Sequence, residues 1–418
     1  MTGFERDAAG AAMLGGARLA DLLAAAKTPT PAYVYDLDAM AAGTRALVDA
    51  FGAAPSVVAY AVKANTAGSV VRALARQGAG ADVVSAAELE VALGSGIEPA
   101  RIVMSGVAKS DAELDRAIAA GIHAIQLESV EEIARVAARA RALGQRARVS
   151  LRINPGIEID SHAHVATGHD EAKFGIVRQD LARAWELIDH EPDALSTVGV
   201  STHVGSMLET PAPYLESAQV VCDAARARMG TGQPLEFVDF GGGFAIDYGQ
   251  GPVQPPSDFA RAALELLARE GLDKLELIVE PGRALVAPHG VLVARVLQGK
   301  HSGERRWVML DAGMNDLIRP ALYQAVHRIE PLDRPPGGTA WRVVGPVCES
   351  ADDFGAHALG DPFPEAVVIR DAGAYGFVMA SEYNGRALPA ELFVSGGKVV
   401  KVSPSPGARD WVERRLRA

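Results

Sequence analysis

Between about residues 56 and 285 the chain alternates two textures, and this constrains its fold more than any other feature. Short β-branched runs are each followed by Ala/Leu/Glu/Arg-rich stretches with helical spacing. The runs predict strands over Ser56–Val62, Ala81–Val84, Arg101–Met104, Ala124–Leu127, Arg148–Ile153, Thr197–Thr202, Glu236–Phe240 and Glu276–Val279. Helical stretches such as Asp111–Ala120, Val130–Leu143 and Ala212–Arg228 lie between them. Strands returned by helices pair in parallel, and this number of them suits a closed (β/α)₈ TIM-type barrel of about 250 residues. An open doubly wound sheet is the competitor. It usually carries fewer strands and a glycine-rich first turn, whereas the first run here leads into Val62-Lys63-Ala64-Asn65.

After about Gly282 the texture changes to strand candidates with few long helices between them. They are Val291–Leu297, Arg306–Leu310, Ala340–Val344, Ala366–Ile369, Glu391–Val394 and Lys398–Val402. This predicts a mostly β C-terminal domain, barrel- or sandwich-like, to which the extended Ala32–Tyr35 contributes a strand. The expected division is an N-terminal segment over 1–35, a barrel over 36–285 and a β-rich domain over 286–418. The first residues read as a loose leader followed by a short helix.

Composition narrows the function classes. With 41 basic and 52 acidic residues the net charge is −11, which argues against nucleic acid as a partner. No apolar run approaches the roughly 18 residues of a membrane span, and the two cysteines cannot build a disulfide framework, so a cytoplasmic protein is expected.

A barrel places its chemistry at the C-terminal ends of its strands. Lys63 follows the first run, His203 the sixth, Gly241-Gly242-Gly243 the seventh, and Glu280-Pro281-Gly282-Arg283 the eighth. A lysine after Val57-Val58-Ala59-Tyr60-Ala61-Val62 is partly desolvated and suits imine formation, or it pairs with a nearby carboxylate. Three glycines let backbone N–H groups approach a phosphate, or make a tight strand-to-helix turn. Glu280 suits a protonated ring nitrogen, or an ion pair with Arg283. His203 suits a base, a metal ligand or a flat plate against a ring. His162, His164 and His169 lack carboxylates at metal-ligand spacing, so no metal is expected. Together these groups describe one cofactor, pyridoxal 5′-phosphate.

The motifs carry the reading further. YAVKAN (Tyr60–Asn65), KFGI (Lys173–Ile176), HVGS (His203–Ser206), GGG (Gly241–Gly243) and EPGR (Glu280–Arg283) follow one another in order. DAGMNDLIRPALY (Asp311–Tyr323), GPVCES (Gly345–Ser350) and GAYGFVMASEYNGR (Gly373–Arg386) continue the series. The chain resembles the fold-type III pyridoxal-phosphate decarboxylases of basic amino acids, the ornithine/diaminopimelate decarboxylase group, and within it most the diaminopimelate branch.

The resemblance implies that Lys63 holds the cofactor as a Schiff base, His203 stacks on its ring and Glu280 meets the ring nitrogen. It implies that Ser206, Gly241, Gly242, Gly243, the Gly282 and Arg283 backbone and Tyr375 surround the phosphate. Substrate carboxylates fall to Arg283, Arg319 and Tyr323, and Tyr375 also touches substrate. Cys348, the candidate proton donor, and Glu349 enter from a second subunit, which makes the enzyme a homodimer. The implied reaction is decarboxylation of meso-2,6-diaminopimelate to L-lysine and CO₂, the last step of lysine biosynthesis. Residue by residue, alternatives stand: Arg319 as a helix cap or partner of Asp316, Cys348 as a buried apolar thiol, and Tyr375 as a core residue. Cys222 reads as packing. One departure bears on substrate: Met207 stands where the family usually has glutamine, and Phe244-Ala245 replaces a common Leu-Gly. D-ornithine, D-lysine or carrier-bound glutamate are alternative substrates, and a non-catalytic binding homologue is the alternative of another class.

Overall fold

The structure, a computed structural model, describes residues 3–157 and 173–417. The chain forms two compact units, Gly43–Ile246 with Pro252–Ala284, and Met1–Ala42 with Asp247–Gly251 and Leu285–Ala418.

The first unit is the expected barrel. Its strands are Ser56–Ala61, Gly80–Val83, Ile102–Met104, Ala124–Leu127, Ala147–Ile153, Leu195–Thr202, Phe237–Gly242 and Glu276–Glu280. They pair in parallel in chain order, and the eighth closes on the first through Ile278↔Val57 and Val279↔Val58. Helices start where short polar side chains satisfy the free N–H groups of the first turn. Ser85 and Ser129 accept from the Glu88 and Glu132 amides, and Ser110 forms a reciprocal capping box with Glu113. On the helix Pro211–Gly230 the buried face carries Tyr214, Ala218, Val221, Cys222 and Ala225, a spacing of three and four residues.

Side chains along a strand alternate between faces, so every second residue points into the barrel. Val57, Ala59, Val103, Ala124, Val198, Phe237 and Ile278 meet in one buried cluster that forms its floor. Gly199 makes room for the Phe237 ring, since a Cβ there would sit 2.5 Å from it. Two residues beyond four of the floor positions and Gly80, the same face turns polar, as Asp82, Ser105, Gln126, Asp239 and Glu280. That change, from apolar floor to buried polar mouth, is what positions the site.

The second unit is built on a nine-stranded sheet. Its path runs Asp353–Ala358, Ala340–Val344, Arg305–Leu310, Gly290–Ser302, Ala32–Asp36, Ala390–Ser395 and Lys398–Ser403, with Ala366–Ile369 branching from Gly290–Ser302 and Ile329–Pro331 pairing with Ala366–Ile369. The strand over 32–36 pairs antiparallel with Gly290–Ser302 and parallel with Ala390–Ser395, as its extended texture predicts. One expectation fails. The N-terminal leader is not loose, because Phe4–Arg6, Ala12–Leu14 and Ala17–Arg18 form a small antiparallel sheet before the helix Leu19–Ala26. Leu14, Leu19 and Leu22 pack with Val34, Val291, Val368 and Leu392. The Arg6 guanidinium donates to the Gly10 and Arg334 carbonyls at 2.6 Å and pairs with Glu330.

Candidate active site

Lys63 lies on a tight turn, Val62–Ala64, immediately past the first barrel strand. Its ammonium pairs with Asp82 on the neighbouring strand, and Ser105 Oγ donates to the other Asp82 oxygen at 2.6 Å. Asp82 is fully buried. Burial alone would raise its pKa, but the Lys63 ammonium and these hydrogen bonds outweigh that and hold it below the usual carboxylate range. Lys63 therefore does pair with a carboxylate, while its side chain keeps 36 % exposure toward the mouth.

His203 follows the sixth strand. The Gly242 N–H donates to its Nδ1 at 3.2 Å, which makes Nδ1 the acceptor and leaves the ring hydrogen on Nε2. Burial, with the nearby charges of Arg152 and Lys63, pushes its pKa down to about 3, so the ring is neutral. Glu280 ends the eighth strand, 7 % exposed, with Oε2 3.9 Å from His203 Nδ1. Its ordered partner is Gln126, whose Nε2 donates to Glu280 Oε1 at 3.0 Å and to Asp239 Oδ2 at 2.7 Å. The Arg283 guanidinium, the alternative partner expected for Glu280, donates to Ser206 Oγ at 3.2 Å. Burial and Asp82 raise the Glu280 pKa to about 7.

The three glycines carry a packing role as well as any ligand role. A Cβ on Gly242 would lie 1.9 Å from the Glu280 carbonyl oxygen, and one on Gly243, at φ +92°, 2.1 Å from that of Gly205. Glycine is what lets the strand ends close on one another here.

A second buried layer braces the loops. Glu128 accepts from the Gly106 N–H at 3.0 Å, the Gly175 N–H at 3.0 Å and the Arg152 guanidinium at 2.7 Å. Lys109, 3 % exposed, pairs with Glu132 at 3.0 Å. His162, His164 and His169 lie outside the described residues.

The remaining expected residues sit in the second unit. Arg319 opens the short helix Arg319–Tyr323 and is buried. Its Nη1 donates to His327 Nε2 at 2.7 Å, and its guanidinium lies 4.8 Å from the Tyr248 ring centre. Tyr323 is half-buried at the end of that helix. Cys348 is exposed, which sets aside the reading of a buried apolar thiol, and its N–H donates to Asn384 Oδ1 at 2.8 Å. Glu349 beside it is exposed and accepts from the Tyr383 hydroxyl at 3.4 Å. Tyr375 is half-buried at φ +55°, in a turn rather than in a strand core. Cys222 is buried and its thiol is pushed up to about 12, chiefly by burial, as packing requires.

Sequence reasoning missed Asp82, Gln126 and Asp239. Each is a single polar residue inside an apolar strand, two positions beyond a floor residue for Gln126 and Asp239 and beyond Gly80 for Asp82. The donor set fits pyridoxal phosphate. A lysine amine, a neutral imidazole and a buried carboxyl group share one rim, and each supplies a different contact that cofactor needs.

Comparison with known proteins agrees. Residues 37–287 match a family model described as the pyridoxal-binding domain of pyridoxal-dependent decarboxylases. The chain is 41 % identical over 387 residues to diaminopimelate decarboxylase of Pseudomonas aeruginosa, covering 89 % of each chain. It is 39 % identical over 393 residues to that of Zymomonas mobilis, covering 92 % of each. Among solved structures, Helicobacter pylori diaminopimelate decarboxylase complexed with L-lysine superposes with a TM-score of 0.87 at 36 % identity, over 94 % of this chain and 98 % of that one. The enzyme of M. jannaschii in co-complex with L-lysine gives 0.89 at 31 %, over 99 % and 97 %. The chain belongs to the diaminopimelate decarboxylase family of pyridoxal-dependent decarboxylases.

Proposed function

We propose that this chain decarboxylates meso-2,6-diaminopimelate to L-lysine and CO₂ with pyridoxal 5′-phosphate, acting as a homodimer in the cytoplasm, with 36–285 as its cofactor-binding domain. The observation that carries this reading is the joint placement of Lys63, His203 and Glu280 on one barrel rim, in a chain whose relatives share the activity over nearly their full length. L-lysine in two of the similar structures matches the expected product.

Bound at this rim, the cofactor supplies an electron sink for the pair left when CO₂ departs. Lys63 is the amine that attaches it, and Asp82 fixes where that amine points. His203, being uncharged, offers a flat face without placing a second cation beside the ring. Glu280 as a carboxylate holds a proton at the ring nitrogen, a preorganised charge of the kind that usually dominates an enzyme's rate gain. N–H groups of Gly241, Gly242, Gly243, Gly282 and Arg283, with Ser206 and Tyr375, serve the phosphate. Arg283, Arg319 and Tyr323 take substrate carboxylates, a role suited to arginine's planar fork. Glu349 takes the distal ammonium, and Cys348, also from the second subunit, returns a proton to the α-carbon. The exposure of Cys348 and Glu349 supports that assignment, because residues serving a partner's site must face outward.

Met207, at φ +67° beside Ser206, is the feature that favours a different substrate. The test is a panel of meso-diaminopimelate, D-ornithine, D-lysine and a carrier-bound glutamate with cofactor-loaded protein. Lysine and CO₂ from the first are expected, and CO₂ from another substrate alone would reject the proposal. Lys63→Ala is expected to lose both turnover and the near-ultraviolet to visible absorption of the attached cofactor. A variant that kept that absorption would remove Lys63 from the mechanism.

A further inference from the structure

Behind Glu280 stands a second carboxyl group that the proposed chemistry does not use. Asp239 has no exposed surface and points into the barrel from the seventh strand, two residues beyond the floor residue Phe237. Its Oδ1 accepts from the Gly241 N–H at 2.8 Å, and its Oδ2 accepts from Gln126 Nε2 at 2.7 Å. The same Nε2 serves Glu280 Oε1 at 3.0 Å, so one neutral amide bridges two buried carboxyl groups on adjacent strands.

The charges around this pair are already committed. Lys63 is paired with Asp82 and Arg152 with Glu128, while His203 is neutral. Among the described residues no ion pair reaches Asp239. Asp82 adds a further negative charge nearby, Lys63 and Arg152 partly oppose it at Glu280, and the Tyr214 phenol facing the pair stays protonated. Two ionised carboxylates sharing one amide in a buried site repel one another by several kcal/mol, and such pairs commonly hold one proton between them. The question is which carboxyl holds it. Glu280 has the mouth, Lys63 and Arg152 to favour its charge. Asp239 has only the Gly241 N–H and the shared Gln126 amide, with no cation paired to it among the described residues.

We propose that Asp239 is a positioning residue that keeps its proton in the folded protein and, with Gln126, donates to Glu280, so that Glu280 is the anion of the pair. This deepens the proposed function and rests on it for the role of Glu280 at the ring nitrogen. An O–H and an N–H donor converge on Glu280 from the barrel interior, and no bond breaks. The direction of titration is consistent: burial and the Glu280 charge push Asp239 well above the carboxylate range, whereas its hydrogen bond pulls Glu280 back down.

The test reads the proton itself. Infrared difference spectra of full-length holoenzyme against Asp239→Asn, near neutral pH, are expected to show loss of one protonated-acid carbonyl band that shifts in D₂O. Loss of an ionised carboxylate band in its place would overturn the proposal. Because the asparagine amide is neutral and donates in the same place, cofactor affinity is expected to change less than about threefold, a much smaller effect than removing an ionised group from the site. Should Asp239→Asn fail to fold, Gln126→Leu gives an independent reading. Removing a donor from the Asp239 carbonyl is expected to move the same acid band to higher frequency, and an unmoved band would overturn the proposal. These bands belong to the protein, so they distinguish failure of this inference from failure of the proposed decarboxylase activity, which the substrate panel decides.

Discussion

Asp82 controls Lys63, and it is the residue at which the placement of a single charge can be tested most directly. It is buried, paired with the lysine ammonium and held by Ser105. Asp82→Asn keeps the shape and the Ser105 contact but removes the charge that aims the amine. Turnover is expected to fall roughly tenfold to a hundredfold, since misplacing a reacting group by an ångström can cost about 10²-fold. Melting should stay within a few degrees, because the freed ammonium reaches water at the mouth. Turnover within twofold of the parent would show that Asp82 does not position Lys63. Lys63, His203 and Glu280 were legible in the sequence because each interrupts or ends an apolar run where a barrel strand meets its loop. Asp82, Gln126 and Asp239 were not, since one polar residue inside a strand is uninformative until the facing strands show which residues share an interior. The partners of Arg319 were also hidden. They include His327 and Tyr248, and the second comes from a segment separated from it by about 70 residues of chain.

At the scale of elements, the glycine tract shows how two demands coincide on one stretch of backbone. Phosphate recognition needs N–H groups without side chains in the way, and barrel closure needs the seventh strand to press against the sixth and eighth. Gly242→Ala would drive a methyl group into the Glu280 carbonyl, so strand pairing has to give way. The expected result is insoluble protein or a loss of about 3 kcal/mol or more, within the range of severe overpacking. Gly94→Ala, at a helix end with open space around its Cβ, should be neutral or slightly stabilising. A loss in Gly242→Ala no larger than in Gly94→Ala would mean that close approach does not require glycine at 242. The barrel strands were legible because β-branched runs and helical spacing alternate cleanly. The short strands over 4–6, 12–14, 17–18 and 329–331 were not, since two or three residues carry too little pattern. Asp353–Ala358 escaped for a different reason, its polar and glycine-containing run lacking the apolar alternation of a strand.

For the whole molecule, buried acids and buried histidines tilt stability with pH in opposite directions. Burial raises Asp316 and Glu391 each to about 7, from ordinary values of 3.8 and 4.5. The folded chain therefore keeps protons that the unfolded chain releases, and stability falls as pH rises from about 4 to about 7. Burial lowers His203 to about 3 and His289 to about 4, from 6.5. There the unfolded chain binds protons that the folded one refuses, so stability rises with pH up to about 6.5. The two slopes overlap and oppose one another, which leaves a shallow profile in cofactor-free protein between about pH 5 and 6.5. Single variants expose what the sum conceals. In Glu391→Gln the Tyr35 hydroxyl keeps an acceptor, and the group that loses stability on ionising is gone. Its melting temperature relative to the parent is expected to climb by about 3 °C between pH 5 and 7.5, the size of a linkage effect of nearly two units in a chain this long. His289→Gln should move the other way over the same range, because the parent gains stability there and the variant does not. Melting curves of both variants at a series of pH values decide it. If the two differences run in the same direction, burial is not what sets these protonation states.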